Sequence, residues 1–96
     1  MLEPADIDQL LAEVRRGRAL RVPFSTTLFA DTRVEESTLR ACSDGQFELT
    51  TSFAEFAAGH GWSCTQTEVE IWAEAQVRSQ LAFAAAKEVE LLPLKP

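Results

Sequence analysis

Thr65-Gln66-Thr67-Glu68-Val69-Glu70-Ile71-Trp72-Ala73-Glu74-Ala75-Gln76-Val77 is the stretch on which the reading of this chain turns. Thr65 followed three residues on by Glu68 is a capping-box signature, in which a hydroxyl and a carboxylate satisfy backbone amides at a helix start. From there Val69, Trp72, Ala73, Val77, Leu81, Ala84 and Ala85 recur along one side of a helical projection. That spacing predicts the longest helix of the chain, from about Gln66 to Leu91.

Upstream, the same box appears twice more. Ser52 with Glu55 opens a pattern whose apolar stripe is Phe53, Phe56 and Ala57 and whose stop is Gly59-His60-Gly61. Thr32 with Glu35 opens another, with Val34, Leu39 and Ala41, running to Cys42 and closed by Asp44-Gly45. Gln46-Phe47-Glu48-Leu49-Thr50, which alternates briefly, reads as a linker turn. At the N-terminus, Pro4 at a first helical position and early acids, then Ile7, Leu10, Leu11 and Val14, predict a helix from Pro4 to Arg16 with Gly17 in a left-handed cap. Ala19 to Ala30 contains Pro23, which forbids a central strand, and reads as an extended connector or short edge strand with Phe24, Leu28 and Phe29 turned inward. The fold expected is therefore all-α: a small four-helix domain with a long C-terminal helix and a connector near residues 19–30, at least half its residues helical. It forms one domain over residues 1–92, with a disordered end at 93–96 marked by Pro93 and Pro96.

The chain has 96 residues, 46% apolar and 25% charged, which suits one ordinary globular core. The longest weakly polar stretch, Leu81 to Ala86, is far short of the ~18 residues a membrane helix needs. Met1-Leu2-Glu3-Pro4 shows no signal peptide, so the expected compartment is the cytoplasm, with no membrane partner. The net charge is −6, and no Lys or Arg lies between Arg40 and Arg78, where Asp44, Glu48, Glu55, Glu68, Glu70 and Glu74 make an acidic block. Against it stands one basic cluster, Arg15, Arg16, Arg18 and Arg21, which either meets an acidic partner or folds back on the acidic block.

Catalytic and metal chemistry find little support. His60 is the only histidine, and with Cys42 and Cys64 it offers at most three ligands of mixed spacing, where a structural zinc site shows short-spaced pairs. His60 instead reads as a cap on the preceding helix. Cys42 and Cys64 read as free thiols packed as small apolar groups, with a redox pair as the alternative. No phosphate loop, paired-acid cleft or nucleotide motif is present, so no cofactor, metal or enzymatic activity is expected. A helix-turn-helix around Gly59-His60-Gly61 would present Glu68, Glu70 and Glu74 to DNA, which phosphate repels. Trp62 and Trp72 flank the start of the long helix and belong either to the core or to an interface, Trp62 on the turn being the better interface candidate.

Ala30-Asp31-Thr32-Arg33-Val34-Glu35-Glu36-Ser37-Thr38-Leu39 and Phe53-Ala54-Glu55-Phe56-Ala57-Ala58-Gly59-His60-Gly61-Trp62-Ser63-Cys64-Thr65-Gln66-Thr67-Glu68-Val69 together resemble the Nif-eleven-like leader domain, the family that includes prochlorosin-type leaders. The resemblance covers residues 24–76. It implies a small helical domain recognised by a processing enzyme or another protein, with no activity of its own. The chain departs from the family in lacking the double glycine and the cysteine-rich core that follows it, which speaks against a substrate precursor.

The function expected is non-catalytic binding of another polypeptide, as an adaptor or regulatory domain. The contact residues are Arg15, Arg16, Arg18, Arg21, Trp62, Glu68 and Trp72. The alternative is a structural subunit that homodimerises through its last helix at Val77, Leu81, Phe83, Ala84 and Ala85, because apolar side chains over residues 77–92 wrap more than one face. A helix-turn-helix DNA-binding regulator is the remote alternative.

Overall fold

A computed structural model describes residues 1–26, 34–57 and 62–93, with the backbone alone at 34–35, 54–57 and 62–65. Among these residues the architecture is a five-stranded antiparallel sheet with two α-helices packed on one face, and this replaces the all-α, four-helix domain expected. Helix α1 spans Pro4–Arg15, β1 Leu20–Arg21, β2 Val34–Ser43, β3 Gln46–Ala57 and β4 Trp62–Ala73. Helix α2 follows at Glu74–Phe83, then a single 3-10 turn at Ala86–Glu88 and β5 at Glu90–Leu91. The long strands β2, β3 and β4 hold 10, 12 and 12 residues, against 12 and 10 in the two α-helices.

Helix α1 forms where its signals predict. Pro4 occupies the first turn, Asp6 accepts the Glu3 amide at 3.1 Å, and Gly17 leaves the helix at φ 106°. Ile7, Leu11 and Val14 are its buried stripe. The next two expected helices, where described, are strands, and the last is only partly helical. The pattern ending at Cys42 lies in β2, the one begun by Ser52 lies in β3, and the supposed linker turn at Gln46–Thr50 is the start of β3. The long C-terminal helix divides into β4, the shorter α2, the 3-10 turn and β5.

The physical reason is in the quoted stretch. Thr65, Thr67, Val69 and Ile71 set a β-branched residue at every second position. Such side chains lose rotamer freedom against the preceding helical turn but fit a pleated surface. Their period of two matches Gln46-Phe47-Glu48-Leu49, against which they pair: Phe47 faces Trp72, Leu49 faces Glu70 and Thr51 faces Glu68. On the other side of β3, Leu39 faces Leu49, and the Asp44-Gly45 turn joins the two strands. Gly45 holds φ +71°, a conformation L side chains rarely adopt, while no other residue type among those described has positive φ.

The strand order is β4-β3-β2-β1-β5. The connector near residues 19–30 thus contributes an interior two-residue strand, not an edge one, and Pro23 falls just beyond its pairing with β2 and β5. The helices cover the face carrying Leu20, Leu39, Phe47, Leu49 and Trp72, and Ile7, Leu11, Val14, Val77 and Leu81 complete the core. Each fully buried leucine contributes about 1.5–3 kcal/mol over its exposed state. Further along that face the apolar rows give way to hydroxyls: Thr51 Oγ1 accepts the Thr26 amide at 2.9 Å and shares a hydrogen bond with Ser37 Oγ at 3.3 Å. Leu28, Phe29, Thr32, Gly59, His60, Gly61, the side chains of Trp62 and Cys64, and residues 94–96 lie outside what is described.

Candidate functional site

Strand β4 is the last strand of the sheet. It pairs along its whole length with β3, and among the described residues no strand pairs with its other side. In an antiparallel pair every second residue directs its N–H and C=O to the neighbour, so the intervening residues of β4 direct theirs outward. Such a row of unmatched donors and acceptors is a template for another extended chain. Proteins usually blunt it with a short strand, a proline, a bulge or a lysine. β4 is 12 residues long and contains no Pro, Gly, Lys or Arg.

The two faces of β4 differ in chemistry. On the face away from the helices stand Thr67, Val69, Ile71 and Ala73, all exposed, with Val69 and Ile71 retaining 49% and 51% of their accessible surface. They are the exposed large apolar residues of the sheet among those described. Beside them on β3 lie Thr50, opposite Val69, and Glu48, opposite Ile71. The helix-side face carries Glu68 and Glu70, half-buried, and Trp72, buried. Glu70 accepts the Trp72 indole N–H at 2.6 Å, and Trp72 stacks on Phe24 with ring centroids 5.1 Å apart.

The contact residues named from the sequence fall in three places. Glu68 and Trp72 share the helix-side face of β4, where Trp72 belongs to the core and Glu68 is half-buried at the strand edge. The four arginines are engaged within the chain. Arg15 pairs with Glu74 and lies over the Phe47 ring, 5.4 Å from its centroid. Arg16 and Arg18 both reach Glu13, and Arg18 Nε also donates to the Leu92 carbonyl at 3.1 Å. Arg21 stands near Glu36 and Glu90. Trp62 contributes backbone to β4, and its side chain lies outside the description.

The residues named for self-association do not lie on one continuous helix. Val77, Leu81 and Ala84 are buried inside the chain, Ala85 is half-buried, and Phe83 projects with 80% of its surface accessible. Helix α2 ends at Phe83, so the expected apolar helix over 77–92 is interrupted.

Among the described residues no group of three or more His, Cys, Asp or Glu side chains converges. Cys42 is an exposed free thiol beside the β2–β3 turn, whereas Cys64 pairs with Glu55 toward the far end of the β3–β4 ladder. Nine residue steps of extended chain separate the Gln46 and Glu55 positions, about 30 Å at the strand rise. A disulfide needs Cα atoms within about 7 Å. A cavity of about 560 Å³ lies between α1 and the C-terminal segment, floored by Leu2, Leu10, Val89 and Leu91. Arg18, the cation among its described lining residues, is held by Glu13 and the Leu92 carbonyl. No helix among the described residues is long and apolar enough to cross a membrane.

Comparison with known protein families, with characterised proteins and with solved structures finds no match. The helical fold implied by the resemblance to leader domains is not the one formed, since residues 34–43, 46–57 and 62–73 are strands.

Proposed function

We propose that the protein is a non-catalytic polypeptide-binding domain of the adaptor or regulatory kind, and that it takes an extended segment of its partner along the free edge of β4. One observation carries the reading: a 12-residue strand, paired on one side only among the described residues, shows Val69 and Ile71 half-exposed beside its other edge. Backbone hydrogen bonds along such an edge supply affinity, and alternate side chains supply selectivity. Nucleic acid is disfavoured as a partner, because the edge bears Glu68 and Glu70 and the Arg15 to Arg21 cluster is neutralised within the chain. The cytoplasm is the compartment we assign, on the two cysteines that the sheet holds too far apart to bridge.

Site-directed photo-crosslinking in the source cell tests this. A photoreactive residue at Thr67 or Val69 is expected to give discrete protein adducts, and the same residue at Gln80, exposed on α2, is expected to give none. Equal adduct yields at both places would refute the assignment of β4.

A second reading, self-association near the end of α2, is favoured by the 80% exposure of Phe83. The molecular mass of the wild type and of Phe83→Glu across a wide concentration range decides it. A dimer lost in the variant supports it, and two identical monomers exclude it.

A further inference from the structure

The outward backbone groups of β4 and its exposed apolar side chains belong to the same residues. We infer, resting on the strand-edge reading above, that the segment taken by β4 is an antiparallel strand of another protein with a β-branched apolar side chain at every second residue, and that these apolar residues both flank Val69 and Ile71 and exchange backbone hydrogen bonds with them.

The backbone fixes the phase. The Glu74 amide donates to the Gly45 carbonyl at 2.9 Å, one step beyond the Gln46 and Ala73 partners. Bonded and non-bonded pairs alternate along an antiparallel ladder. Phe47 with Trp72, Leu49 with Glu70 and Thr51 with Glu68 are therefore the bonded pairs, and Thr67, Val69, Ile71 and Ala73 direct their N–H and C=O away from β3. The far side of the sheet gives the same phase. The Val22 amide donates to the Ser37 carbonyl at 3.0 Å, so Ser37 and Leu39 turn toward β1. Thr38 and Arg40 then bond to Thr50 and Glu48, which leaves Leu49 and Thr51 for β4.

The side chains fall in step with that backbone. Thr67, Val69 and Ile71 are exposed on the open face, and Val69 and Ile71 retain 49% and 51% of their accessible surface. Toward β3 these two stand opposite Thr50 and Glu48, so the described sheet gives them no apolar cross-strand neighbour. A strand on the other side of β4 is where one can stand, since directly opposed residues share a face. β-branched side chains suit such a pleated, half-covered position. The pairings among the described strands are all antiparallel, and an antiparallel addition makes the residue beside Val69 also the residue bonded to it. In a parallel addition the bonds slant between residues, and the residue opposite Val69 turns its amide away. The antiparallel segment also excludes proline opposite Thr67, Val69 and Ile71, because proline has no amide to donate.

The experiment uses the full chain and four labelled synthetic peptides. One alternates Val with Ser, a second carries N-methyl groups on its valines, a third carries them on its serines, and a fourth has the composition of the first in blocks. Affinity is read by fluorescence anisotropy, and the contact as amide protection over Thr67–Ala73. The alternating peptide and its N-methyl-serine form are expected to protect the Thr67, Val69 and Ile71 amides, and the N-methyl-valine and block peptides to leave them exchanging. Val69→Ser with Ile71→Ser is expected to lower the affinity of the alternating peptide about two- to thirtyfold. Binding of the N-methyl-valine form as tight as that of the N-methyl-serine form would overturn the inferred phase and direction while leaving the strand edge as the binding site. Equal binding of the alternating and block peptides would mean unspecific apolar adhesion and overturn the inference. Protection of the same amides in the peptide-free protein that rises with its concentration would make a second copy the occupant, which also overturns it. Protection by none of the peptides overturns the inference. If Thr67 and Val69 also give no adducts in the cell, the strand-edge reading falls with it.

Discussion

Thr51→Val removes one hydroxyl from the centre of the sheet and leaves its volume nearly unchanged, so the loss isolates hydrogen bonding from packing. Thr51 is fully buried, and its Oγ1 accepts the Thr26 amide at 2.9 Å while sharing a hydrogen bond with Ser37 Oγ at 3.3 Å. Valine leaves that amide and the Ser37 hydroxyl, itself buried, without this partner. Each buried donor so orphaned costs about 1–3 kcal/mol, and the new methyl group returns a fraction of it. The expected destabilisation is about 2–4 kcal/mol, a large share of the ~5–15 kcal/mol that holds a domain together. Thr26→Val is the matched control. Thr26 Oγ1 is buried with no hydrogen-bond partner among the described residues, so its removal takes away a desolvated oxygen and keeps the amide bond to Thr51. That variant is expected to be neutral or to gain up to about 1 kcal/mol. Equilibrium urea unfolding, followed by tryptophan fluorescence, reads both through the midpoint at constant slope. Losses of equal size in the two variants would refute the hydroxyl network as drawn.

Three further outcomes follow from the same geometry. Gly45→Ala meets nothing within 4 Å of its new Cβ but forces a left-handed conformation at φ +71°, so a loss of about 1–2 kcal/mol is expected in urea unfolding, reduced in Gly45→Asn. Leu11→Ala, at a fully buried position of α1 facing the sheet, is expected to cost about 2–5 kcal/mol by the same assay. The double variant Val69→Lys with Ile71→Lys is expected to change stability by less than about 0.5 kcal/mol per site, because both side chains face solvent, and to abolish the in-cell adducts at Thr67.

Local signals and pairing signals were legible to different degrees. The first helix is written within one short stretch, in Pro4, Asp6 and the stripe Ile7, Leu11, Val14, and it forms as read. The capping boxes at Ser52 and Thr65 are equally local, yet both fall within strands, because a hydroxyl three residues before a carboxylate says nothing about what lies across from it. Val69, Trp72 and Ala73 satisfy a helical spacing and a strand alternation at once. The deciding information was the match between two alternating runs across Asp44-Gly45, a hairpin signal, together with the β-branched residues at 65, 67, 69 and 71. Read as one pattern, those runs indicate a sheet.

The candidate site was legible only in part. The acidic block and its missing cations are plain in the sequence, and Glu68 does lie at the strand edge. Trp72 resembles an interface residue in isolation, but its register beside Phe47 and its stack on Phe24 make it core. The arginine cluster looks free until the fold brings Glu74, Glu36 and Glu90 to it from distant parts of the chain. That β4 stands last in the sheet is a fact of topology, and no window of residues encodes it. Val69 and Ile71 were therefore read as helix positions when they are the exposed face of an edge.

Residue-resolved amide hydrogen exchange of the free protein tests the open edge most directly. Between Thr67 and Ala73 the amides bonded to β3 are expected to be protected to the level of global unfolding, while the intervening ones, pointing outward, exchange at rates near those of an unfolded chain. Uniform protection of every amide in this stretch would contradict the open edge, whether it arose from helix or from a strand already seated there.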